Sequence, residues 1–174
     1  PGPTWPHSKP RSPRSPASKY SSCCPGSCLG RRRCSTFNVA TFTRQEHFWR
    51  GEFGDDYVKR CQGDPLIAGN LALFSRALAR TQRLSSLVEL GTNIGNNLVA
   101  LRQLLPGCAL NGVEINDRAH AQAQALGIAQ VWNGSLFDYD PQRTFDLTLI
   151  KGVLIHLAPE LLPTAYARLY ELSS

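Results

Sequence analysis

The sequence contains no methionine at all, and its first 35 positions contain no acidic residue. It also lacks any apolar run of the roughly 18 residues that a membrane-spanning helix needs, so we predict no membrane partner. The first 30 residues have no apolar stretch typical of a secretory signal peptide. Because methionine is absent and the chain begins with Pro1, we expect a fragment or a processed piece. Its 174 residues suffice for about one domain with its own core.

Residues 1–35 differ in composition from the rest of the chain. They hold seven basic residues, seven of the 12 prolines and four of the six cysteines. Because this segment has few apolar residues, burial cannot offset its ordering entropy, and we predict a disordered basic tail. Such a tail suits non-specific contact with phosphate backbones. Residues 36–174 carry twelve bases against thirteen acids and no basic face, so a nucleic-acid-binding module is a weaker alternative and we expect no specific nucleic-acid partner.

The cysteines do not show the spacing of a metal site. A structural zinc site takes two well-separated pairs of ligands. After Cys24, Cys28 and Cys34 no second pair follows, so we predict no metal. Cys61 and Cys108 stand alone and are typical of reduced thiols, which favours a cytoplasmic protein.

Residues 36–84 are predicted to form an N-terminal helical cap. Thr43 and Glu46 have the spacing of a capping box that begins a helix. Residues 51–57 are predicted to form an irregular turn rich in aromatic residues. Asp64 as cap and Pro65 at the first helical position predict a further helix that runs to about Thr81.

From residue 85 onward, short apolar strands alternate with helices, which predicts βαβ units and a parallel sheet. The predicted strands are Ser86–Leu90, Ala109–Ile115, Ala129–Asn133 and Phe145–Ile150. The predicted helices are Asn96–Leu105, Asp117–Leu126 with Asp117 as its cap, and one that starts at Pro163.

Ligands of such a sheet bind beyond the carboxyl ends of its strands. After the first strand, Gly91 and Gly95 permit a tight turn into a helix. Glu114 ends the second strand and is suited to accept two hydrogen bonds from a ribose diol. The turn 133–138 after the third strand offers a place for adenine. These features together predict an adenosine-binding site.

The residues distinguish between two adenosine cofactors. A dinucleotide-dependent oxidoreductase needs G-x-G-x-x-G, and Asn93 stands where its second glycine would be. Glu89, two residues before Gly91, is placed to face a cationic amino group, which the methionine part of S-adenosylmethionine has and NAD lacks. The residues therefore favour S-adenosylmethionine, with the oxidoreductase as the alternative.

Three segments, 88–95, 112–115 and 145–156, resemble a class I S-adenosylmethionine-dependent methyltransferase. More narrowly, residues 48–57 and 151–156 resemble the bacterial methylases associated with pseudaminic acid biosynthesis, and the resemblance covers residues 44–174. It implies a Rossmann-like, three-layer αβα core at residues 85–174, truncated after the fourth strand. It also implies cofactor contacts by Glu89, Gly91 and Gly95 at the methionine end, Glu114 at the ribose, and Ile115, Ser135 and Leu136 at the adenine. Thr92 and Asn93 in the turn after the first strand are further predicted cofactor contacts.

Lys151 and His156 follow the fourth strand, on the side where a small-molecule acceptor, such as a sugar, would bind. His156 is a candidate general base, and a structural histidine at a helix entry is an equally open interpretation. Lys151 is expected to position the acceptor. Two positions depart from the family pattern, Asn93 in place of glycine and Cys61 in place of asparagine. Because the fourth strand lacks the fifth strand of the family, its open edge predicts self-association.

Overall fold

The computed structural model describes residues 42–81 and 83–174. The chain divides into two units, Pro1–Phe37 and Asn38–Ser174, and every described residue belongs to the second. The prediction of a disordered tail over residues 1–35, with its four cysteines, lies outside the described residues. No helix in the described ranges is long and apolar enough to cross a membrane.

The described chain contains a four-stranded parallel sheet, which confirms the predicted α/β class. The strands are β1 (Ser86–Leu90), β2 (Ala109–Glu114), β3 (Gln130–Asn133) and β4 (Leu147–Ile150). Their order is β3-β2-β1-β4. The chain thus moves outward from β1 to β3 and then crosses to the other side of β1. This reversal creates a switch point at the carboxyl ends of β1 and β4, where open α/β sheets bind ligands.

Helices and loops cover both faces of the sheet. The helices are α1 (Arg44–Arg50), α2 (Glu52–Arg60), α3 (Asp64–Ala77), α4 (Asn96–Leu104), α5 (Asp117–Ala125) and α6 (Leu162–Glu171), with short 3-10 turns at Leu154–His156 and Pro159–Leu161. Phe74, Leu98 and Leu101 from α3 and α4 pack in one apolar cluster against the strands. On the opposite face a second cluster contains Phe145 and Leu172. The result is the expected three-layer αβα arrangement.

Residues 51–57 form most of a helix, so the predicted irregular turn is wrong. Gly51 both ends α1 and begins α2. The two glycines of this stretch suggested a turn, but Gly54 is buried inside α2. Its missing side chain lets the Trp49 carbonyl and the Asn116 amide come close, because a Cβ at this position would overlap both. Glycine therefore serves close packing here rather than a bend.

Helix boundaries differ from the prediction, most clearly in two caps and one helix end. Asn116, not Asp117, caps α5, and its side chain accepts a hydrogen bond from the N–H of Ala119 at 2.8 Å. The N-cap of α3 is Gly63, so Asp64 is already helical. That helix ends at Ala77, before the predicted Thr81.

The outer edge of the fourth strand is partly covered. Phe145 forms a parallel bridge with Ser173. Its N–H donates to the Leu172 carbonyl at 2.8 Å, and its carbonyl accepts from the Ser174 N–H at 2.9 Å. Over Leu147–Ile150, β4 pairs with β1 and with no other strand of the described chain. The expected open edge is therefore shorter than predicted and begins after Phe145.

Candidate functional site

A cavity of about 290 Å³ lies at the carboxyl ends of β1, β2 and β4, with α1, α2 and α3 contributing to its walls. Most of the predicted site residues line it, namely Gly91, Thr92, Asn93, Glu114, Ile115, Leu136, Lys151 and His156. Glu89, Gly95 and Ser135 do not form its surface. The arrangement brings residues from the ends of separate strands to one concave site.

The turn after β1 depends on three residues with positive φ. Gly91, Asn93 and Gly95 have φ values of 82°, 50° and 88°. A Cβ on Gly91 would overlap Val153, and one on Gly95 would lie 2.7 Å from Leu126 Cδ1. Both glycines therefore combine an unusual backbone conformation with close packing.

The two departures from the family pattern contact each other. Asparagine is one of the few non-glycine residues that adopt the left-handed conformation readily, so Asn93 keeps the turn intact. Its side-chain amide donates to the Sγ of Cys61 at 3.2 Å. The carbonyl of Cys61 accepts a further hydrogen bond from the Asn96 amide at 2.6 Å. Cys61 therefore ties the end of α2 to the turn after β1.

Glu89 is completely buried and does not line the cavity, but its hydrogen-bond partner Asn97 does. Its Oε1 accepts a hydrogen bond from the side chain of Asn97, whereas its Oε2 has no partner within the described structure. Burial raises the pKa of Glu89 to about 8, against the lowering effects of the Asn97 hydrogen bond and the Lys151 charge. An unpartnered carboxyl oxygen at this depth suits a cationic hydrogen-bond donor.

Glu114 is held rigidly at the end of β2. Its Oε2 accepts from the Asn93 N–H at 2.7 Å, and its Oε1 accepts from the Asn116 N–H at 2.8 Å. Burial raises the pKa of Glu114, and these backbone hydrogen bonds act in the opposite direction. Because a carboxylate has about four acceptor positions, both oxygens retain capacity toward the cavity.

Ser135 is buried and does not itself line the cavity. Its hydroxyl donates to the carboxylate of Glu46 on α1, and its Oγ accepts from the N–H of Phe137 at 3.2 Å. Asn116 makes a comparable link, because its amide donates to Asp55 of α2 at 2.9 Å. The turns after β1, β2 and β3 thus each hold the helix pair α1–α2 by polar contacts.

Lys151 and His156 occupy the side of the cavity next to β4. The imidazole of His156 packs on the indole of Trp49, with ring centroids 4.5 Å apart. Trp49 in turn meets Phe53 and Tyr57 edge to face. Burial lowers the pKa of His156, so the ring is neutral at pH 7. A neutral imidazole at a cavity wall is able to accept a proton.

The sequence analysis missed several lining residues, namely Glu46, Trp49, Asn70, Asn97 and Asn116. The sequence could have indicated Asn70, because it is a polar residue on the apolar face of α3. Asn97 lies in the first helical turn after the glycine turn, where a polar side chain faces the same ligand region. Among the described residues, no group of three or more His, Cys, Asp or Glu side chains is arranged to hold a metal ion.

No protein-family model matches the chain, and no curated protein is significantly similar. Solved structures do match. The magnesium protoporphyrin IX methyltransferase of Synechocystis PCC 6803, crystallised with bound SAM, aligns with a TM-score of 0.61 at 14% identity, over 79% of this chain and 75% of that chain. A Micromonospora echinaspora amino pentose methyltransferase aligns with a TM-score of 0.57 at 18% identity, over 70% of this chain and 51% of its own.

A third match is the sugar N-methyltransferase of Streptoalloteichus sp ATCC 53650, with a TM-score of 0.58 at 19% identity, over 83% of this chain and 56% of its own. The chain thus spans about half the length of the two sugar methyltransferases. At these identities the likeness establishes the fold. The described chain has the Rossmann-like fold of the S-adenosylmethionine-dependent methyltransferases.

Proposed function

We propose that the protein transfers a methyl group from S-adenosylmethionine to a small-molecule acceptor. The observation that carries the proposal is the pairing of two carboxyl groups at one cavity. Glu89 offers a buried, unpartnered oxygen next to the lining residue Asn97, and Glu114 lines the cavity at the end of β2. The first suits an amino group and the second a ribose diol, which are the two polar ends of this cofactor.

The residues present fit the cofactor. Glu89 would hold its amino group, Glu114 its ribose hydroxyls, and Ile115 and Leu136 the faces of its adenine. The turn residues Gly91, Thr92 and Asn93 would border the methionine part. When bound, the sulfonium supplies the methyl carbon and leaves as a neutral thioether. Ser135 would act on the adenine only indirectly, by fixing the turn that carries Leu136.

Residues of this chain would orient the acceptor and take up its proton. His156 would take the proton that an acceptor hydroxyl or amine loses as its bond to the methyl carbon forms. Lys151, which is exposed at the cavity, would orient the acceptor by hydrogen bonding or charge. Trp49 keeps the His156 ring against the wall. Because such a displacement needs mainly alignment and exclusion of water, positioning accounts for most of this work.

A sugar-related compound is the acceptor class we favour. Two of the structural neighbours are an amino pentose and a sugar methyltransferase. The aromatic wall of Trp49 and His156 offers an apolar face on which a cyclic acceptor would stack. The narrower link with pseudaminic acid biosynthesis rests on the sequence resemblance alone and stays a prediction. No observation favours the dinucleotide or the nucleic-acid alternative over this function.

Calorimetric titration with S-adenosylhomocysteine, the reaction product, tests the proposal. The wild-type chain should bind one equivalent. Glu114→Ala should weaken binding by about 1.5–3 kcal/mol, the usual contribution of hydrogen bonds to a charged group. Glu160→Ala removes an exposed carboxylate outside the cavity and should leave the affinity unchanged. Absence of binding to the wild type, or equal affinity of Glu114→Ala, would refute the assignment.

A further inference from the structure

Three aromatic side chains of α1 and α2 remain open to solvent. Phe48, Phe53 and Tyr57 are 51%, 38% and 37% exposed. The rings of Phe48 and Phe53 stack on each other, with centroids 4.2 Å apart. Large aromatic side chains gain most from burial against another apolar surface. A group of them that stays exposed on one side of the helix pair therefore marks a binding surface.

Arg60 lies over two rings of α2. Its guanidinium carbon is 5.6 Å from the ring centroid of Phe53 and 5.3 Å from that of Tyr57. Stacking on aromatic faces uses the plane of a guanidinium and leaves its N–H edge available for a carboxylate or phosphate. Among the described residues Arg60 has no ion-pair partner, and the nearby Asp56 is instead paired with Lys59 at 2.6 Å.

Phe53, Tyr57 and Arg60, which we call the outer strip, continue outward from the cavity. Their spacings of four and three residues place them on one face of α2. Tyr57 lines the cavity, whereas Phe53 and Arg60 lie outside it. Trp49 connects the two regions, because it contacts Tyr57 at 5.3 Å and His156 at 4.5 Å between ring centroids. An acceptor whose reacting atom lies at His156 would thus reach the outer strip with its far end.

The charges of this region favour an anion. Glu46 and Glu114, the acids that line the cavity, are buried and already accept hydrogen bonds. Lys151 lines the cavity as an exposed cation and has no ion-pair partner in the described part of the chain. Arg60 adds a second cation of this kind on the outer strip. An acceptor with a negative charge therefore meets two cations and no exposed acid of the cavity wall.

We infer that the outer strip binds an anionic group of the acceptor, with Arg60 as its partner. The sugar-related acceptor would accordingly be a sugar acid or a sugar phosphate rather than a neutral sugar. Both groups present the paired oxygens that a guanidinium edge recognises. The inference rests on the proposed function and names the chemical class of its acceptor.

The experiment compares glucose, glucuronate and glucose 6-phosphate, which share a ring and differ in the group at one carbon. Their dissociation constants are measured by ligand-observed NMR on the full 174-residue chain saturated with S-adenosylhomocysteine. The wild type should bind at least one anionic sugar about tenfold more tightly than glucose. Arg60→Gln should reduce this preference to about threefold or less. Arg60→Lys keeps the charge without the planar fork and should show an intermediate preference.

Arg76→Gln makes the same change at an exposed position of α3 outside the cavity, and should keep the preference of the wild type. A stronger response to glucuronate indicates a carboxylate and a stronger response to glucose 6-phosphate a phosphate, and either supports the inference. If Arg60→Gln fails to fold, as judged by circular dichroism, the preference of Arg60→Lys decides the matter.

The outcomes separate this inference from the function on which it rests. If the wild type does not bind S-adenosylhomocysteine, the proposed function is wrong and the inference is overturned with it. If it binds that ligand but binds neither anionic sugar more tightly than glucose, the role of the outer strip alone is overturned. The same conclusion follows if Arg60→Gln keeps the full preference of the wild type.

Discussion

Glu89 is the residue whose charge should change when the cavity fills. Burial, with a smaller contribution from the charge of Glu114, raises the pKa of Glu89 to about 8, so the carboxyl group is mostly protonated at pH 7 in the empty site. A bound ammonium group favours the ionised form and lowers this pKa. Binding at pH 7 must therefore release a proton, and affinity should rise with pH toward 8.

Calorimetry in buffers of different ionisation enthalpy detects this proton. For the wild type, the observed enthalpy of S-adenosylhomocysteine binding should depend on the buffer, with a slope that indicates net proton release. Glu89→Gln carries no titrating group, so its weaker binding should give an enthalpy independent of the buffer. Glu160→Gln serves as the matched control and should behave as the wild type. A buffer-independent enthalpy for the wild type would contradict the assignment of Glu89.

The sequence could predict the cavity residues that directly follow strands. It could not predict the cavity residues that lie on the N-terminal helices. Glu114 and Gly91 stand at fixed places in a strand-turn-helix pattern, and the cavity contains both. Asn70 and Trp49 reach the cavity only because α1 and α3 fold over the strand ends, which no local pattern encodes. The coupling of Cys61 with Asn93 likewise joins positions 32 residues apart. Such long-range contacts depend on the tertiary structure, so local sequence patterns do not predict them.

At the scale of elements, α2 shows how a glycine can mislead. Gly51 and Gly54 suggested a turn, but the segment is helical and Gly54 permits close contact with α1 and the cap of α5. The alternation of strands and helices was easier to predict, because apolar strands of four to six residues stand between capped helices. Packing between helices, rather than the low helix propensity of glycine, therefore determines α2, the element that the sequence analysis missed.

Gly54→Ala should displace α1 from α2. The new Cβ would overlap the Trp49 carbonyl, so we expect a loss of about 1–3 kcal/mol in the free energy of unfolding. Binding of S-adenosylhomocysteine should weaken as well, because α1 and α2 contribute to the cavity wall. The measurement is urea denaturation followed by ligand titration.

Gly69→Ala provides the matched control, since Gly69 is exposed in α3 and its added Cβ would meet nothing within 4 Å. Alanine has the higher helix propensity, so this variant should gain about 0.5–1 kcal/mol. Equal stabilities for the two variants would show that close packing at Gly54 is not needed.

At the scale of the whole molecule, the parallel sheet follows from the βαβ pattern, but the strand order and the state of the outer edge do not. Phe145 already pairs with Ser173, which the sequence did not predict. Beyond it, Leu147–Ile150 keeps one side without a strand partner among the described residues. This short apolar edge can pair with a second copy.

Sedimentation velocity over a concentration series measures this association. We expect the average sedimentation coefficient of the 174-residue chain to rise with concentration up to tens of micromolar. The bridge at Phe145 limits the open edge to four residues, so the association should be weak and reversible. A concentration-independent monomer would mean that this edge does not pair.

The most direct test of the central claim is a crystal structure of the chain with S-adenosylhomocysteine. The account predicts the ligand in the cavity beyond β1 and β2, with its amino nitrogen about 2.7–3.2 Å from Glu89 Oε2 and its ribose hydroxyls at Glu114. A ligand bound elsewhere, or an amino group directed away from Glu89, would contradict the claim that this cavity is a methyl-donor site.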